Sequence, residues 1–233
     1  VADVNRDGHD DLAVVSQTNN TLAILLGKGD GTFHPKRLVA TGNVPVAMAV
    51  GNLTGDGILD VIVANAGSQD ATVLIGVGDG TFLPAPNLAV GRSPAAVVLG
   101  DFNSDHILDV VVSNRLDAKL SLFLGRGNGT FHNPQAVPLP RHTPGALAVS
   151  DVNRDDRSDL AVADFNANTV TMLLGNGDAT FQSVPDIRTG PGPVALVTGE
   201  VNQDSLEDLL VTNTHPSTGV SSVSCILGNG DGT

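Results

Sequence analysis

The residues in this chain best able to do chemistry are its aspartates, and they recur in short loops. The first loop reads Asp3, Asn5, Asp7, Gly8 and Asp11, a D-x-N-x-D-G-x-x-D pattern of nine positions. Oxygen side chains on alternate residues can turn inward around one point. That arrangement suits Ca²⁺, a hard cation that takes six to eight oxygen ligands at about 2.3–2.6 Å. The backbone carbonyl at the seventh position, His9, adds a ligand, and the ninth-position Asp11 closes the far side. Glycine at the sixth position permits a left-handed bend around the ion.

Four further loops repeat the pattern. The second offers Asn52, Thr54, Asp56, the Ile58 carbonyl and Asp60. The third offers Asp101, Asn103, Asp105, the Ile107 carbonyl and Asp109, and the fourth Asp151, Asn153, Asp155, the Arg157 carbonyl and Asp159. The fifth offers Glu200, Asn202, Asp204, the Leu206 carbonyl and Asp208. The expectation is up to five Ca²⁺, one per loop. The first, third and fourth loops supply three carboxylates each. The second supplies two and should bind most weakly, and the fifth opens on the longer Glu200. Asp, Asn and Gly also form ordinary turns, but turn chemistry does not require an Asp at the ninth position five times over. An EF-hand loop needs a bidentate acid at its twelfth position. Here that position is Val14, Val63, Val112, Val162 and Val211, so the chain has already become a strand.

The elements that carry these loops follow from a repeat. Loops begin at 3, 52, 101, 151 and 200, and a second signature follows each: LLGKGDGTF, LIGVGDGTF, FLGRGNGTF, LLGNGDATF and ILGNGDGT. In the first four units its glycine (Gly27, Gly76, Gly125, Gly175) lies 24 residues after the loop start; in the fifth, 217–222 lengthen the intervening turn. In the second unit, 44–51, 60–66, 71–77 and 82–90 read as four strands. Pro84 and Pro86 place the fourth at an edge. Four short antiparallel strands per roughly 45–50 residues make a propeller blade. The expected fold is therefore all-β, a β-propeller of four-stranded antiparallel blades spanning 1–233. Phe33, Phe82, Phe131 and Phe181 should wedge between neighbouring blades, while Ala and Val of the inner strands fill the narrow centre. The first unit lacks its first strand and the last its fourth, leading to the expectation of a segment of a larger propeller.

Composition narrows the function. The formal charge of −13 disfavours nucleic acid and anionic membrane surfaces; five Ca²⁺ would reduce it to −3. With Cys225 the only cysteine, no internal disulfide can form, and metal ions can staple loops in its place. No apolar run reaches the ~18 residues of a membrane span. The glycine-rich turns lack the GxxxxGK[ST] pattern and a following helix, so they read as turns rather than phosphate loops. His9, His34, His106, His132, His142 and His215 have neither zinc spacing nor triad partners. The N-x-T patterns at Asn19, Asn52 and Asn128 read as chance. No catalytic or organic-cofactor residues emerge.

The Asp loop joined to LLGxGDGTF at fixed spacing resembles the FG-GAP/VCBS-type repeats of integrin α-chain propellers and of many bacterial surface and secreted proteins. The resemblance implies a propeller with calcium in hairpin loops, bound at the first, third, fifth, seventh and ninth positions, in a module for adhesion or ligand recognition. Asn52, Thr54 and Glu200 depart from that pattern. The resulting expectation is an extracellular or cell-surface, non-enzymatic, calcium-binding module whose partner is an extracellular protein or glycan. A lectin-like propeller and an accessory domain of a secreted enzyme stand as alternatives. The absence of Trp and Tyr weakens the lectin reading, because sugar sites favour aromatic faces with a polar tip.

Overall fold

The computed structural model describes residues 1–139, 143–215 and 217–232; His142 lies outside them. It contains five antiparallel sheets, one per repeat. The first holds β1 (Leu12–Ser16), β2 (Thr21–Leu25) and β3 (Arg37–Ala40). The second holds β4 (Pro45–Gly51), β5 (Asp60–Asn65), β6 (Asp70–Gly76), β7 (Phe82–Pro84) and β8 (Leu88–Ala89). The third runs β9 (Pro94–Gly100), β10 (Asp109–Asn114), β11 (Lys119–Phe123) and β12 (Gln135–Pro138). The fourth runs β13 (Pro144–Ser150), β14 (Asp159–Asp164), β15 (Thr169–Gly175), β16 (Phe181–Ser183) and β17 (Ile187–Arg188). The fifth has β18 (Pro193–Gly199), β19 (Asp208–Thr214) and β20 (Ser221–Ile226). The first and last sheets lack the strands that the sequence also lacks.

The fourth strand is the one element that departs from expectation. The 82–90 segment is two short strands, β7 and β8, both paired to β6. β16 and β17 repeat this against β15. In the first and third sheets the first piece shrinks to an isolated bridge, Gly27–Phe33 or Gly125–Phe131. Each break contains a proline (Pro35, Pro86, Pro134, Pro185), which cannot donate to the ladder.

Side-chain alternation along each second strand sends neighbouring residues to opposite faces. Val61 and Val63 of β5 face the first sheet and pack with Leu22, Ile24 and Phe82. Ile62 and Ala64 face the third, with Val110, Val112 and Phe123. Two further clusters fill the third–fourth and fourth–fifth seams. The three inner sheets are thus covered by neighbours on both faces and the two end sheets on one, as in any stacked repeat. The inner strands β4, β9, β13 and β18 contact one another in succession, and their small residues allow that approach. On the fifth sheet's far face Val197 is 57% exposed and Val223 64% exposed.

The phenylalanine wedge holds for three of four positions. Phe82, Phe131 and Phe181 each pack into the seam with the preceding sheet. Phe181 meets Phe102 edge-on, with ring centroids 5.7 Å apart. Phe33 is 36% exposed, because among the described residues no sheet precedes its own. Phe181→Ala should therefore cost roughly 2–3 kcal/mol and Phe33→Ala under about 0.5 kcal/mol. Denaturant unfolding of the two variants checks this, and equal losses would refute the directional packing.

Candidate metal centre

Every connection from first to second strand, and every turn from third to fourth, lies at the same end of its sheet. The five Asp loops and the glycine turns are thereby gathered at one end of the array. Within each loop the ninth-position aspartate is the most buried member. Asp11, Asp60, Asp109, Asp159 and Asp208 are at most 1% exposed.

Each of these carboxylates joins two separate stretches of backbone. Its Oδ2 accepts the N–H of the loop's second residue, Val4, Leu53, Phe102, Val152 or Val201, at 2.7–3.0 Å. Its Oδ1 accepts the N–H of the third-strand glycine, Gly27, Gly76, Gly125, Gly175 or Gly228, at 2.7–2.8 Å. The glycine must be glycine for a steric reason as well. A Cβ there would stand 2.2–2.4 Å from the carbonyl oxygen of the residue before the aspartate. The fixed spacing between Asp loop and LLG signature is the spacing of this joint.

The loop's second residue was not singled out from sequence, although its apolar character was visible. Val4, Leu53, Phe102 and Val152 bury their side chains in the seams. Across the seam, the turn of the next sheet donates to two of their carbonyls, Gly129 to Leu53 at 3.1 Å and Ala179 to Phe102 at 2.8 Å.

The sixth position adopts positive φ in all five loops, at Gly8, Gly57, His106, Asp156 and Ser205, as expected. The fourth does so too, at Arg6, Gly55, Ser104, Arg154 and Gln203. Only Gly55 signals it by residue type. Non-glycine residues in this region cost free energy, so the loop's own hydrogen bonds must hold them there.

Those bonds fall into two groups. In the first loop Asp7 N–H donates to both Asp3 Oδ1 (3.2 Å) and Asn5 Oδ1 (3.1 Å), and Gly8 N–H donates to Asp3 Oδ2 (2.9 Å). His9 N–H bonds Asp7 Oδ1, and Asn5 Nδ2 donates to Asp7 Oδ2. The third loop repeats all five bonds with Asp101, Asn103 and Asp105. The fourth repeats them with Asp151, Asn153 and Asp155. In the second loop Asn52 reaches only Gly55 N–H and the Thr54 hydroxyl. The fifth keeps four of the five, with Asn202, Asp204 and the Glu200 bond to Ser205 N–H. It differs in that Glu200 accepts the Asn202 and Gln203 amides rather than that of Asp204.

In the first, third and fourth loops the first- and third-position oxygens thus converge on one N–H. Their donor set is the hard, all-oxygen set Ca²⁺ takes. The carboxylates do not meet on their own: among the described residues no group of three or more His, Cys, Asp or Glu is gathered tightly enough to hold a metal. The set closes only with the Asn oxygen and main-chain oxygen included, and only if the Asn amide releases the fifth-position Asp.

Electrostatics divide the loop residues in the same way. Burial pushes the Asp109 carboxyl up to about 6, against its two amide bonds and with the Asp105 and Asp101 charges adding to the effect. Burial likewise raises Asp60 and Asp159. The exposed Asp7 is lowered, chiefly by the Asn5 amide, and Asp56 by the Ile58 N–H. In the glycine turns Asp30, Asp79 and Asp178 are lowered by the hydroxyls of Thr32, Thr81 and Thr180.

Stacked antiparallel sheets of three to five strands joined in this manner define a propeller-like all-β protein. Residues 3–63, 52–112, 101–162 and 151–211 match the FG-GAP-like repeat, and the chain belongs to that family. Among curated proteins none matches it. Solved structures share the fold at low identity. One, from the complex of BBS1N with ARL6DN, is 18% identical over 91% of this chain and 61% of that one, with a TM-score of 0.61. Another is an Agrocybe aegerita lectin that recognises non-reducing terminal N-acetylglucosamine, 18% identical over 100% of this chain and 66% of that one, with a TM-score of 0.66. The chain therefore spans less than two thirds of either protein.

A raised carboxyl pKa makes a signed statement about metal-free stability. Asp109 binds its proton near pH 6 when folded and near 4 when unfolded. Its contribution is full below the unfolded value and is lost as pH rises through the folded one. In EGTA the melting temperature should accordingly rise from pH 7.5 to pH 5, and a fall across that range would contradict the assignment.

Proposed function

We propose that the chain is a calcium-stabilised recognition module that acts outside the cell or at its surface, without catalysis of its own. The single observation that carries this reading is the identical bond network of the first, third and fourth loops around an all-oxygen donor set. The residues that would hold the ions are Asp3, Asn5, Asp7, Asp11 and the His9 carbonyl, with Asp101, Asn103, Asp105, Asp109 and the Ile107 carbonyl. In the fourth loop they are Asp151, Asn153, Asp155, Asp159 and the Arg157 carbonyl. Calcium there supplies charge neutralisation and cross-links loop to strand; it performs no reaction. A cation that binds only the folded state stabilises it by mass action, about 2.7 kcal/mol per site at a hundredfold excess over Kd. Recognition then falls to the surface loops, which vary on a fixed frame.

A glycan ligand is the second reading, and a specific feature favours it. Three clefts of about 420, 320 and 380 Å³ recur at equivalent rim positions. Each lies between the outer strand of one sheet and the Thr-Phe turn of the next (Thr81–Phe82, Thr130–Phe131, Thr180–Phe181). A glycan screen with and without calcium separates a sugar from a protein partner.

Thermal unfolding in millimolar calcium and in EGTA, with calorimetric stoichiometry, tests the main reading. Calcium should raise the melting temperature, and Asp7→Ala should remove one ion while loosening the first sheet. Identical melts in both buffers would remove calcium from the account.

A further inference from the structure

Two arginines at the loops' fourth position reach across the seams. Arg6 Nη2 donates to the carbonyl of Asp56, the fifth residue of the second loop, at 3.3 Å. Arg154 Nη2 donates to the carbonyl of Ser205, the sixth residue of the fifth loop. The other two seams lack an arginine at this position, where Gly55 and Ser104 stand instead. The two loops that receive a guanidinium are the two that depart from the shared network. The second departs in most of its bonds, and the fifth only at its first residue, where Glu200 bonds the Asn202 and Gln203 amides rather than that of Asp204. They are also the two whose first position is not Asp.

We infer that the second and fifth loops are braced by the neighbouring arginines in place of calcium, so that the array holds three calcium ions and two guanidinium-held loops. The inference rests on the calcium reading of the other three loops. A guanidinium is always charged, and its planar fork donates several hydrogen bonds at once. Placed on the Asp56 or Ser205 carbonyl, it supplies a fixed positive charge beside the loop, two residues or one from the seventh-position carbonyl. In the second loop it also stands near the Asp56 carboxylate, whose charge it favours. The same positive charge opposes a divalent cation in a loop that has only Asp56 and Asp60 to attract it. In the fifth loop, Glu200 is exposed and already bonds three of the loop's own amides, while Arg154 takes the carbonyl beyond them.

The geometry of the donors fits this role. Arg6 and Arg154 themselves adopt positive φ, +61° in both cases, inside the loops with the full bond network. The well-furnished loop of one sheet thus aims its fourth residue at the poorly furnished loop of the next. In this arrangement each arginine is a positioning residue for its neighbour's loop, and stability passes from one sheet's loop to the next.

The test uses the whole chain with Arg6→Gln and Arg154→Gln, and Arg126→Gln as a control whose guanidinium, among the described residues, hydrogen-bonds His132 of its own turn rather than a neighbouring loop. Melts in EGTA read the brace without metal. Each test variant should lose about 3 °C relative to the control, the size expected for one charge-assisted hydrogen bond in a domain of this length. Calorimetry with calcium should give three ions for the unaltered chain, and the calcium-induced rise in melting temperature should be larger in Arg6→Gln, because the freed second loop then draws on the cation. Arg6→Lys, which keeps the charge, should restore the original calcium response. Five equivalent ions in the unaltered chain would overturn the brace and leave the calcium reading standing. Test variants that melt with the control in EGTA would overturn it as well. No calcium binding at any loop would instead remove the three-ion half, with the EGTA melts still deciding whether the arginines hold their loops.

Discussion

The structure depends on one joint repeated five times: a buried aspartate whose two oxygens each accept a backbone N–H from a different strand connection. Charge-assisted hydrogen bonds of this type are about twice as strong as neutral ones. Burying a carboxylate is costly without such partners, and the raised Asp109 shows that two amides do not fully offset it. The joint nevertheless solves a geometric problem that no apolar side chain could. It holds the entrance of the loop, the start of the second strand and the end of the third strand at fixed separation. The glycine approach at 2.2–2.4 Å from a carbonyl for any added Cβ leaves no room for another arrangement.

Much of this was legible in the sequence because the repeat is long and regular. The sheets, their order and the loop positions follow from a roughly 49-residue period and from alternation of Val and Ile along the strands. The role of the ninth Asp was legible only in part. Its invariance across five units marked it as special, but a metal ligand and a backbone joint leave the same residue in the same place. The partner amides belong to Val4, Leu53 or Phe102, and main-chain donors carry no sequence signal. The broken fourth strand was half visible: Pro84 and Pro86 indicated an edge, while the interruption arises because a proline falls mid-strand in each of the first four units. Phe33 shows the complementary limit. Its residue type and spacing match Phe82, and only the absence of a covering sheet separates them.

The positive-φ fourth position was hidden for a related reason. Arg6, Ser104, Arg154 and Gln203 have no intrinsic preference for that region, and the loop's bonds to the first-position acid hold them there. The acid therefore has a mechanical function before any cation is considered. Where it is Asp, one carboxylate reaches both the fifth and sixth amides and fixes the turn. Asn52 accepts the fourth-position amide instead, and Glu200 keeps the sixth amide but takes the third and fourth in place of the fifth. Differences in side-chain length of a single methylene, or of charge, thus become differences in loop architecture.

Such differences matter more in a stacked array than in a closed core. Each sheet contacts only its neighbours, so local stability is the sum of what a unit holds internally and what its two seams contribute. The seams here are not purely apolar. Val4, Leu53, Phe102 and Val152 carry a buried side chain into the seam, a donor into the Asp joint and, in two cases, an acceptor for the next sheet's turn. Packing between sheets and hydrogen bonding within the loop are therefore coupled at one residue. A disturbance of the loop thus reaches the neighbouring sheet through that residue. The end of the array that carries the acids is thereby tied from sheet to sheet, while the hairpins at the opposite end hold their own buried polar residues, Asn65, Asn114, Asp164 and Asn213.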